Sequence, residues 1–179
     1  MRRSGWPISA ASQSINRLAA TIQTDAFARS VEILAGAETI YLIAKRRSYP
    51  LTAHMTYAFS KLNIRHQIVA SPNGVDPELV QFATPRDAAI AASFSPYAAE
   101  SLAQSEALAD RGVPVIAITD SAFSPLAARA THWFEVAEAD FAGFRSLSAS
   151  MALIMAFPVA IAEQRRKWAS AKIAREKME

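Results

Sequence analysis

The chain has 179 residues, of which 51% are hydrophobic and 20% charged, and this length and composition fit one soluble domain with a packed core. Its net charge of +3 is too small to indicate a nucleic-acid-binding protein, and the absence of cysteine excludes disulfides and thiolate metal sites. The most apolar stretch, residues 151–162, is too short to span a bilayer. We therefore expect a cytoplasmic protein with no membrane contact and no metal or other cofactor.

The N-terminal region predicts an arm followed by helix. Gly5 and Pro7 favour a flexible arm over residues 1–10. Apolar residues then recur every three to five positions over residues 11–36, which predicts two helical pieces that meet near Thr24. Gly36 is expected to end the second piece in a left-handed conformation. We expect one domain over residues 11–168, followed by a basic tail of residues 169–179.

Five short apolar runs alternate with helical patterns through the rest of the chain. The predicted strands are residues 39–44, 67–70, 87–93, 113–118 and 133–136. The predicted helices are residues 50–62, 77–82, 98–111, 124–130 and 146–168. This alternation predicts an α/β fold: a three-layer, doubly wound, five-stranded parallel sheet with extra N- and C-terminal helices. Right-handed crossovers place the loops after the strands along one edge, where ligands of such sheets bind.

Hydroxyl and basic side chains follow three of the predicted strands. The loops are Lys45-Arg46-Arg47-Ser48-Tyr49, Ser93-Phe94-Ser95-Pro96-Tyr97 and Thr119-Asp120-Ser121-Ala122-Phe123-Ser124-Pro125. A helix N-terminus with nearby hydroxyls suits a phosphate group, and Arg46 and Arg47 can add charge-assisted contacts. Taken singly, a serine before a helix is more often a simple N-cap, and an arginine pair on a loop is more often solvated than bound to a ligand.

These segments together resemble a known family. Residues 40–53, the Ser93-Phe94-Ser95 loop, residues 118–127 and Phe144-Arg145-Ser146-Leu147 are similar to the sugar isomerase (SIS) domain. The similarity is greatest to the version in RpiR-type bacterial transcriptional regulators, where residues 144–147 match the start of the closing helix. It covers roughly residues 11–163 and implies a flavodoxin-like fold that binds a sugar phosphate.

The resemblance implies which residues hold the ligand. Carried over position by position, the ligand-binding serines are Ser48, Ser93, Ser95 and Ser124, with Arg47 beside them. Two positions depart from the family pattern. Ala44 and Arg46 stand at the glycines of its GxGxS first loop, and Ala98 stands where many of its enzymes carry threonine.

Isomerisation of a sugar requires a general base, and the sequence shows no clear one. His54 is expected within a helix, and His66 and His132 at strand starts, away from the ligand edge. The remaining candidates are Glu100, one turn into the helix after the Ser93–Ser95 loop, and Glu138, which follows the fifth strand. We therefore expect a domain that senses a sugar phosphate, as RpiR-type domains do. The alternative is a phosphosugar aldose–ketose isomerase that uses one of these glutamates or a histidine from a partner subunit.

The partners expected are a sugar phosphate and a second copy of the chain. Apolar residues of the two terminal helices, among them Ile15 and Phe157, exceed what one sheet face needs, and SIS domains commonly pair. Only about 35 residues precede the first predicted strand, too few for a helix-turn-helix domain. We therefore expect no direct DNA binding by this chain, which is a fragment, a stand-alone sensor or an isomerase.

Overall fold

The computed structural model describes residues 7–177. Its helices are α1 (Pro7–Thr21), α2 (Thr24–Gly36), α3 (Tyr49–Lys61), α4 (Asp76–Gln81), α5 (Ala99–Asp110) and α6 (Ser148–Glu176). Its strands are β1 (Ile40–Ala44), β2 (His66–Ile68), β3 (Ala88–Ala92), β4 (Val115–Thr119), β5 (His132–Glu135), β6 (Asp140–Phe141) and β7 (Phe144–Arg145). Short 3₁₀ turns cover Arg46–Ser48 and Ala127–Arg129. None of the helices over residues 7–177 combines the length and hydrophobicity needed to cross a membrane.

The first five strands form one parallel sheet in the order β2-β1-β3-β4-β5. Leu42 of β1 is in register with Ile68 on one side and Ile90 on the other. The strand order reverses between β1 and β3, which is the switch point of a flavodoxin-like sheet. The predicted fold class is therefore confirmed.

Side-chain alternation along the strands builds a layer on each face of the sheet. In β1, Ile40 and Leu42 enter a core shared with α1, α2, α3 and α6, whereas Tyr41 and Ile43 enter a second core with α4 and α5. Both faces of this strand are buried, as expected for a parallel sheet covered by helices. Alternate side chains of β1 therefore lie in the two opposite cores.

Strand β3 reads Ala-Ala-Ile-Ala-Ala, a sequence with weak intrinsic preference for strand. It pairs with β1 over five residues and with β4 over four, and it is buried throughout. Two complete ladders of main-chain hydrogen bonds outweigh the weak propensity of alanine at this central position. The alternation of elements, more than composition, predicts this strand.

The terminal helices differ from the expected boundaries. Helix α1 begins at Pro7, so residues 7–10 of the predicted arm are helical, and residues 1–6 lie outside the described part. Helix α6 continues to Glu176, through most of the predicted tail. Gly36 does not adopt the expected left-handed conformation. Instead Arg165 of α6 donates to the carbonyls of Ala35 and Ala37 at 3.0 and 2.9 Å, which satisfies the end of α2 from outside.

Strands β6 and β7 form a hairpin that the sequence does not predict. Its two turn residues, Ala142 and Gly143, have φ values of 53° and 93°, as a two-residue type I′ turn requires. Phe144 and Arg145, which the resemblance placed at the start of the closing helix, are a strand that pairs back with Asp140 and Phe141. Helix α6 begins only at Ser148.

Candidate functional site

The loops that follow β1 and β3 meet at the carboxyl edge of the sheet. Because the two strands are neighbours and the strand order reverses between them, their loops diverge and leave a cleft. The cleft measures about 210 Å³. Its lining residues are Lys45, Arg46, Arg47, Ser48, Ser93, Phe94, Pro96 and Ala98. Three of the five predicted site residues, Arg47, Ser48 and Ser93, therefore share one cleft.

The loop after β1 carries the basic side chains of the cleft. Arg46 adopts a left-handed backbone with φ of 56°, the conformation that glycine takes without a Cβ penalty. Arg46 and the next two residues form a single 3₁₀ turn closed by a hydrogen bond of 3.1 Å from the Ser48 amide to the Lys45 carbonyl. Ser48 is buried at the N-cap position of α3, and its hydroxyl makes no capping bond to that helix. The hydroxyl therefore stays available at the helix N-terminus.

The loop after β3 holds Ser93 and Ser95 in different ways. The Ser93 hydroxyl is buried and accepts a hydrogen bond of 3.2 Å from the Ala98 amide, just before α5. Ser95 is exposed, and its carbonyl accepts a hydrogen bond from the Arg47 guanidinium. Arg47 thus joins the two loops across the cleft, while Ser95 takes part through its main chain.

Ser124 lies outside the lining of the cleft. Its hydroxyl is only 1% exposed and accepts a hydrogen bond of 3.1 Å from the Ala127 amide, at the start of the second 3₁₀ turn. The predicted helix over residues 124–130 is reduced to this turn. The Ser124 hydroxyl thus satisfies a main-chain amide of this turn, a structural role like the one considered for each serine, although the N-cap residue of the turn is Leu126.

Two of the three cations of the cleft have carboxylate partners. Lys45 forms an ion pair with Asp76 of α4, and both side chains are largely buried. Burial by itself would raise the pKa of Asp76, but hydrogen bonds from Lys45 and from the Ser71 amide bring it below its usual value. Arg46 lies 3.6 Å from Glu100 in an exposed pair. A hydrogen bond from its own backbone amide and the charge of Arg46 lower the pKa of Glu100.

Arg47 differs from its two neighbours because no carboxylate pairs with it among the described residues. Its guanidinium is exposed and uses one nitrogen on the Ser95 carbonyl. The other donors of its planar fork remain free for an anion. The arrangement can therefore hold a phosphate-like group between a guanidinium and the serine hydroxyls of the cleft.

Asp120 stands in the loop after β4 but is not among the predicted site residues. Its carboxylate accepts hydrogen bonds from the Ser95 amide, the Tyr97 hydroxyl and the Arg145 guanidinium. The position of Asp120 after a buried strand is a visible signal in the sequence. Its partners are not, because two of them lie 25 residues away along the chain.

The three histidines lie away from the cleft. His54 of α3 contacts the sulfur of Met155 on α6 through its ring Nε2. The Nδ1 atom of His66 lies 2.8 Å from the Ile64 carbonyl. His132 begins β5, and both it and His66 are at the opposite, amino edge of the sheet. Burial and the charge of Arg29 lower the pKa of His132.

The two glutamates that were considered as bases have other partners. Glu138 accepts a hydrogen bond of 2.7 Å from the Ser150 amide, in the first turn of α6. It therefore acts as a cap for that helix. Glu100 is exposed and paired with Arg46, and it does not line the cleft. The lining of the cleft contains no carboxylate and no histidine among the described residues.

Several solved structures have the same fold at low sequence identity to this chain. The sugar isomerase domain of an RpiR transcription factor from Sphaerobacter thermophilus matches with a TM-score of 0.83 and 22% identity, over 97% of this chain and 98% of that one. The Vibrio vulnificus NanR protein complexed with ManNAc-6P matches with a TM-score of 0.80 and 18% identity, over 96% and 66% of the two chains. A protein of Escherichia coli CFT073, solved as a complex, matches with a TM-score of 0.74 and 19% identity, over 89% and 88%.

A search of curated proteins finds no significant match to the chain. The family model of the SIS domain matches residues 33–160, which include β1 to β5, the cleft and the first half of α6. This match spans well over half of the chain and agrees with the sheet order, the switch point and the serine-bearing loops. The chain belongs to the SIS domain family.

Proposed function

We propose that this chain binds a sugar phosphate in the cleft between the loops after β1 and β3, and that it senses this ligand without turning it over. The observation that carries the proposal is the meeting of Arg47, Ser48 and Ser93 in one cleft at the switch point of the sheet. A guanidinium without a carboxylate partner and two hydroxyls suit a dianionic phosphate better than an uncharged sugar.

Helix geometry supports the same ligand. Helix α3, of 13 residues, and helix α5, of 12 residues, both begin beside the cleft. Their first turns present main-chain N–H groups and the positive end of the helix dipole. The hydroxyl of Ser48, which makes no capping bond, can donate to a phosphate oxygen while the helix amides do the same. This positive field adds to the charge of Arg47.

The surroundings of the cleft support sensing over isomerisation. An isomerase needs a base within hydrogen-bond reach of the sugar, and Glu138 is engaged at the start of α6, while Glu100 is exposed and paired. The NanR structure holds ManNAc-6P, and the RpiR domain belongs to a transcription factor. The first likeness agrees with a sugar-phosphate ligand, and the second agrees with a regulatory role.

We also propose that the chain forms a homo-oligomer through its terminal helices. One face of α6 presents Ala152, Met155, Ala156 and Val159 to solvent at the three- and four-residue spacing of a single helical stripe. Ile15 of α1 is also exposed. An apolar stripe of this kind is buried most simply against a copy of itself, as in a two-fold dimer.

The ligand proposal is tested by calorimetric titration of a panel of hexose and pentose phosphates into the purified chain and a Ser48→Ala variant. We expect binding by at least one sugar phosphate, weakened about fivefold or more in the variant, because a buried hydrogen bond is lost. Ser60→Ala, an exposed position at the far end of α3, is the matched control and should bind like the parent. Equal binding by all three proteins would contradict the cleft as the site.

A second measurement separates sensing from catalysis. Each bound aldose phosphate is incubated with the protein, and conversion to the ketose is followed by NMR. We expect no conversion above the rate without protein. Steady conversion that is abolished by Glu100→Gln or Glu138→Gln would establish the isomerase alternative.

A further inference from the structure

Asp120 lies just after β4 and accepts three hydrogen bonds, two from the loop after β3 and one from the β6–β7 hairpin. The Ser95 amide donates to Oδ2 at 2.9 Å, and the Tyr97 hydroxyl donates to Oδ1 at 3.0 Å. Arg145, on the β6–β7 hairpin, donates to Oδ2 at 2.9 Å. One carboxylate therefore connects the loop after β3, the end of β4 and the hairpin.

The main chain of Ser95 is contacted on both sides, at its amide and at its carbonyl. The Ser95 amide is fixed by Asp120, and the Ser95 carbonyl receives the Arg47 guanidinium on the side of the cleft. Ser95 itself is exposed, so packing alone does little to restrain it. The Ser95 amide belongs to the Phe94–Ser95 peptide and its carbonyl to the Ser95–Pro96 peptide, so Asp120 restrains one side of the residue whose other side supplies the acceptor for Arg47.

Arg145 strengthens this support. Its guanidinium forms an ion pair with Asp120 in which both side chains are more than four-fifths buried. The same guanidinium lies 5.7 Å from the ring centroid of Phe94, the residue between the two serines of the loop. The hairpin thus contacts the loop through Asp120 and directly through Phe94.

The ion pair with Arg145 depends on the charge of Asp120. Burial by itself raises the pKa of Asp120, but the Ser95 amide, Tyr97 and Arg145 together bring it below the usual value, so the group is ionised at neutral pH. Burial and the hydrogen bond to Asp120 raise the pKa of Tyr97, which keeps its hydroxyl protonated as a donor. An asparagine offers one acceptor oxygen in place of two and leaves Arg145 without a counter-charge.

We propose that Asp120 is a positioning residue of the sugar-phosphate cleft, which sets the Ser93–Tyr97 loop and, through the main chain on both sides of Ser95, the guanidinium of Arg47. Asp120 does not line the cleft, so it acts through other residues and not by contact with the ligand. The inference rests on the proposed function for its effect on binding, and the order that it brings to the loop is measurable without any ligand.

The test compares Asp120→Asn with Asp110→Asn, an Asp→Asn change in an exposed ion pair with Arg129 on the opposite edge of the sheet. Amide hydrogen exchange is measured on the free proteins. We expect residues 93–98 to exchange about tenfold faster or more in Asp120→Asn and at the parental rate in Asp110→Asn. Unchanged exchange over residues 93–98 would overturn the proposal.

Sulfate binding then tests whether Asp120 acts on the ligand through Arg47. Sulfate is the probe, because it mimics phosphate and does not change its charge between pH 5 and 8. We expect Asp120→Asn to weaken sulfate binding by about tenfold in the parent and by less than about twofold in an Arg47→Ala background, since coupled residues give non-additive effects. Equal losses in both backgrounds would overturn the proposal. If the parent binds neither sulfate nor any sugar phosphate, the proposed function fails, and the exchange data alone decide whether Asp120 orders the loop.

Discussion

The guanidinium of Arg46 lies 3.6 Å from the carboxylate of Glu100, so an ion pair joins the loop after β1 to the first turn of α5. Both side chains are exposed, and such a pair contributes little to stability. Glu100 nevertheless pairs with Arg46, as Asp76 pairs with Lys45. Arg47 is therefore the one cation of the cleft without a carboxylate partner among the described residues. The three adjacent basic residues consequently differ in what they can offer a ligand.

The left-handed backbone of Arg46 predicts that glycine at this position is more stabilising than alanine. Arg46→Gly should have a free energy of unfolding about 1 kcal/mol higher than Arg46→Ala, because a Cβ is strained at φ of 56°. Both variants lose the same side chain, so their difference reports the backbone alone. Urea unfolding measures it, and equal stabilities would show that the loop relaxes around the Cβ.

Arg47 should matter more for the ligand than Arg46. Arg47→Ala should weaken sugar-phosphate binding by about tenfold or more, since a charge-assisted hydrogen bond is lost. Arg46→Ala is the control with the same charge change, and its loss should be smaller because Arg46 is already paired with Glu100. Calorimetric titration at fixed ionic strength checks both, and the reverse order of effects would contradict the assignment.

Substitution of Ser93 should destabilise the protein more than substitution of Ser95. Ser93→Ala removes the acceptor of the Ala98 amide at a buried position and should cost about 1 kcal/mol of unfolding free energy. Ser95→Ala removes an exposed hydroxyl, and its stability should stay within about 0.5 kcal/mol of the parent. Thermal and urea unfolding of the two variants in the absence of ligand make the comparison. A larger loss in Ser95→Ala would contradict the geometry of the loop.

The pair between Lys45 and Asp76 predicts an acid-sensitive contribution to stability. The pKa of Asp76 is lower in the folded chain than in the unfolded one, so its contribution is complete above the unfolded value near 4 and is lost as the pH falls through the folded value. Asp76→Asn should lower stability at pH 7, and the difference from the parent should narrow below about pH 4. Urea unfolding at both pH values measures this, and a constant difference would show that Asp76 does not titrate with folding.

At neutral pH, removal of the Lys45 charge should lower the free energy of unfolding more than removal of the Asp76 charge. Lys45→Met leaves the largely buried carboxylate of Asp76 without its counter-charge and should cost about 3 kcal/mol. The double variant with Asp76→Asn should recover part of this loss, because no unpaired charge then remains. Absence of any recovery would indicate that packing of the Lys45 side chain, and not its charge, is responsible.

The apolar stripe on α6 predicts the effect of a charge on assembly. Val159→Asp should shift the chain toward monomer, because a carboxylate on this face cannot be buried against a second copy. Phe82→Asp is the matched control, since Phe82 is an exposed apolar residue on the other face of the sheet. Light scattering at micromolar concentration measures both. A monomeric parent, or equal masses for all three proteins, would contradict the proposed interface.

Sequence alone predicted the parts of this protein that depend on local pattern. The buried run of β1 and that of β4 are apolar at nearly every position, and Gly112, with φ of 75°, ends the helix before β4. The alternation of strands and helices then predicted the parallel sheet, because a parallel connection needs a crossover. The serine and arginine loops were placed at the correct edge for the same reason. These features need only neighbours along the chain.

The tertiary structure decided the roles of individual side chains. Ser124, predicted as a ligand residue, does not line the cleft and accepts a hydrogen bond from the Ala127 amide, while Asp120 was not predicted and accepts three hydrogen bonds. Residues 144 and 145, ahead of the predicted helix of residues 146–168, form a strand of a hairpin, and Arg145 pairs with Asp120. A hydroxyl or a carboxylate has the same sequence signature whether it meets a ligand, an amide or a guanidinium. The partner is set by residues tens of positions away, which only the packed chain brings within hydrogen-bond distance.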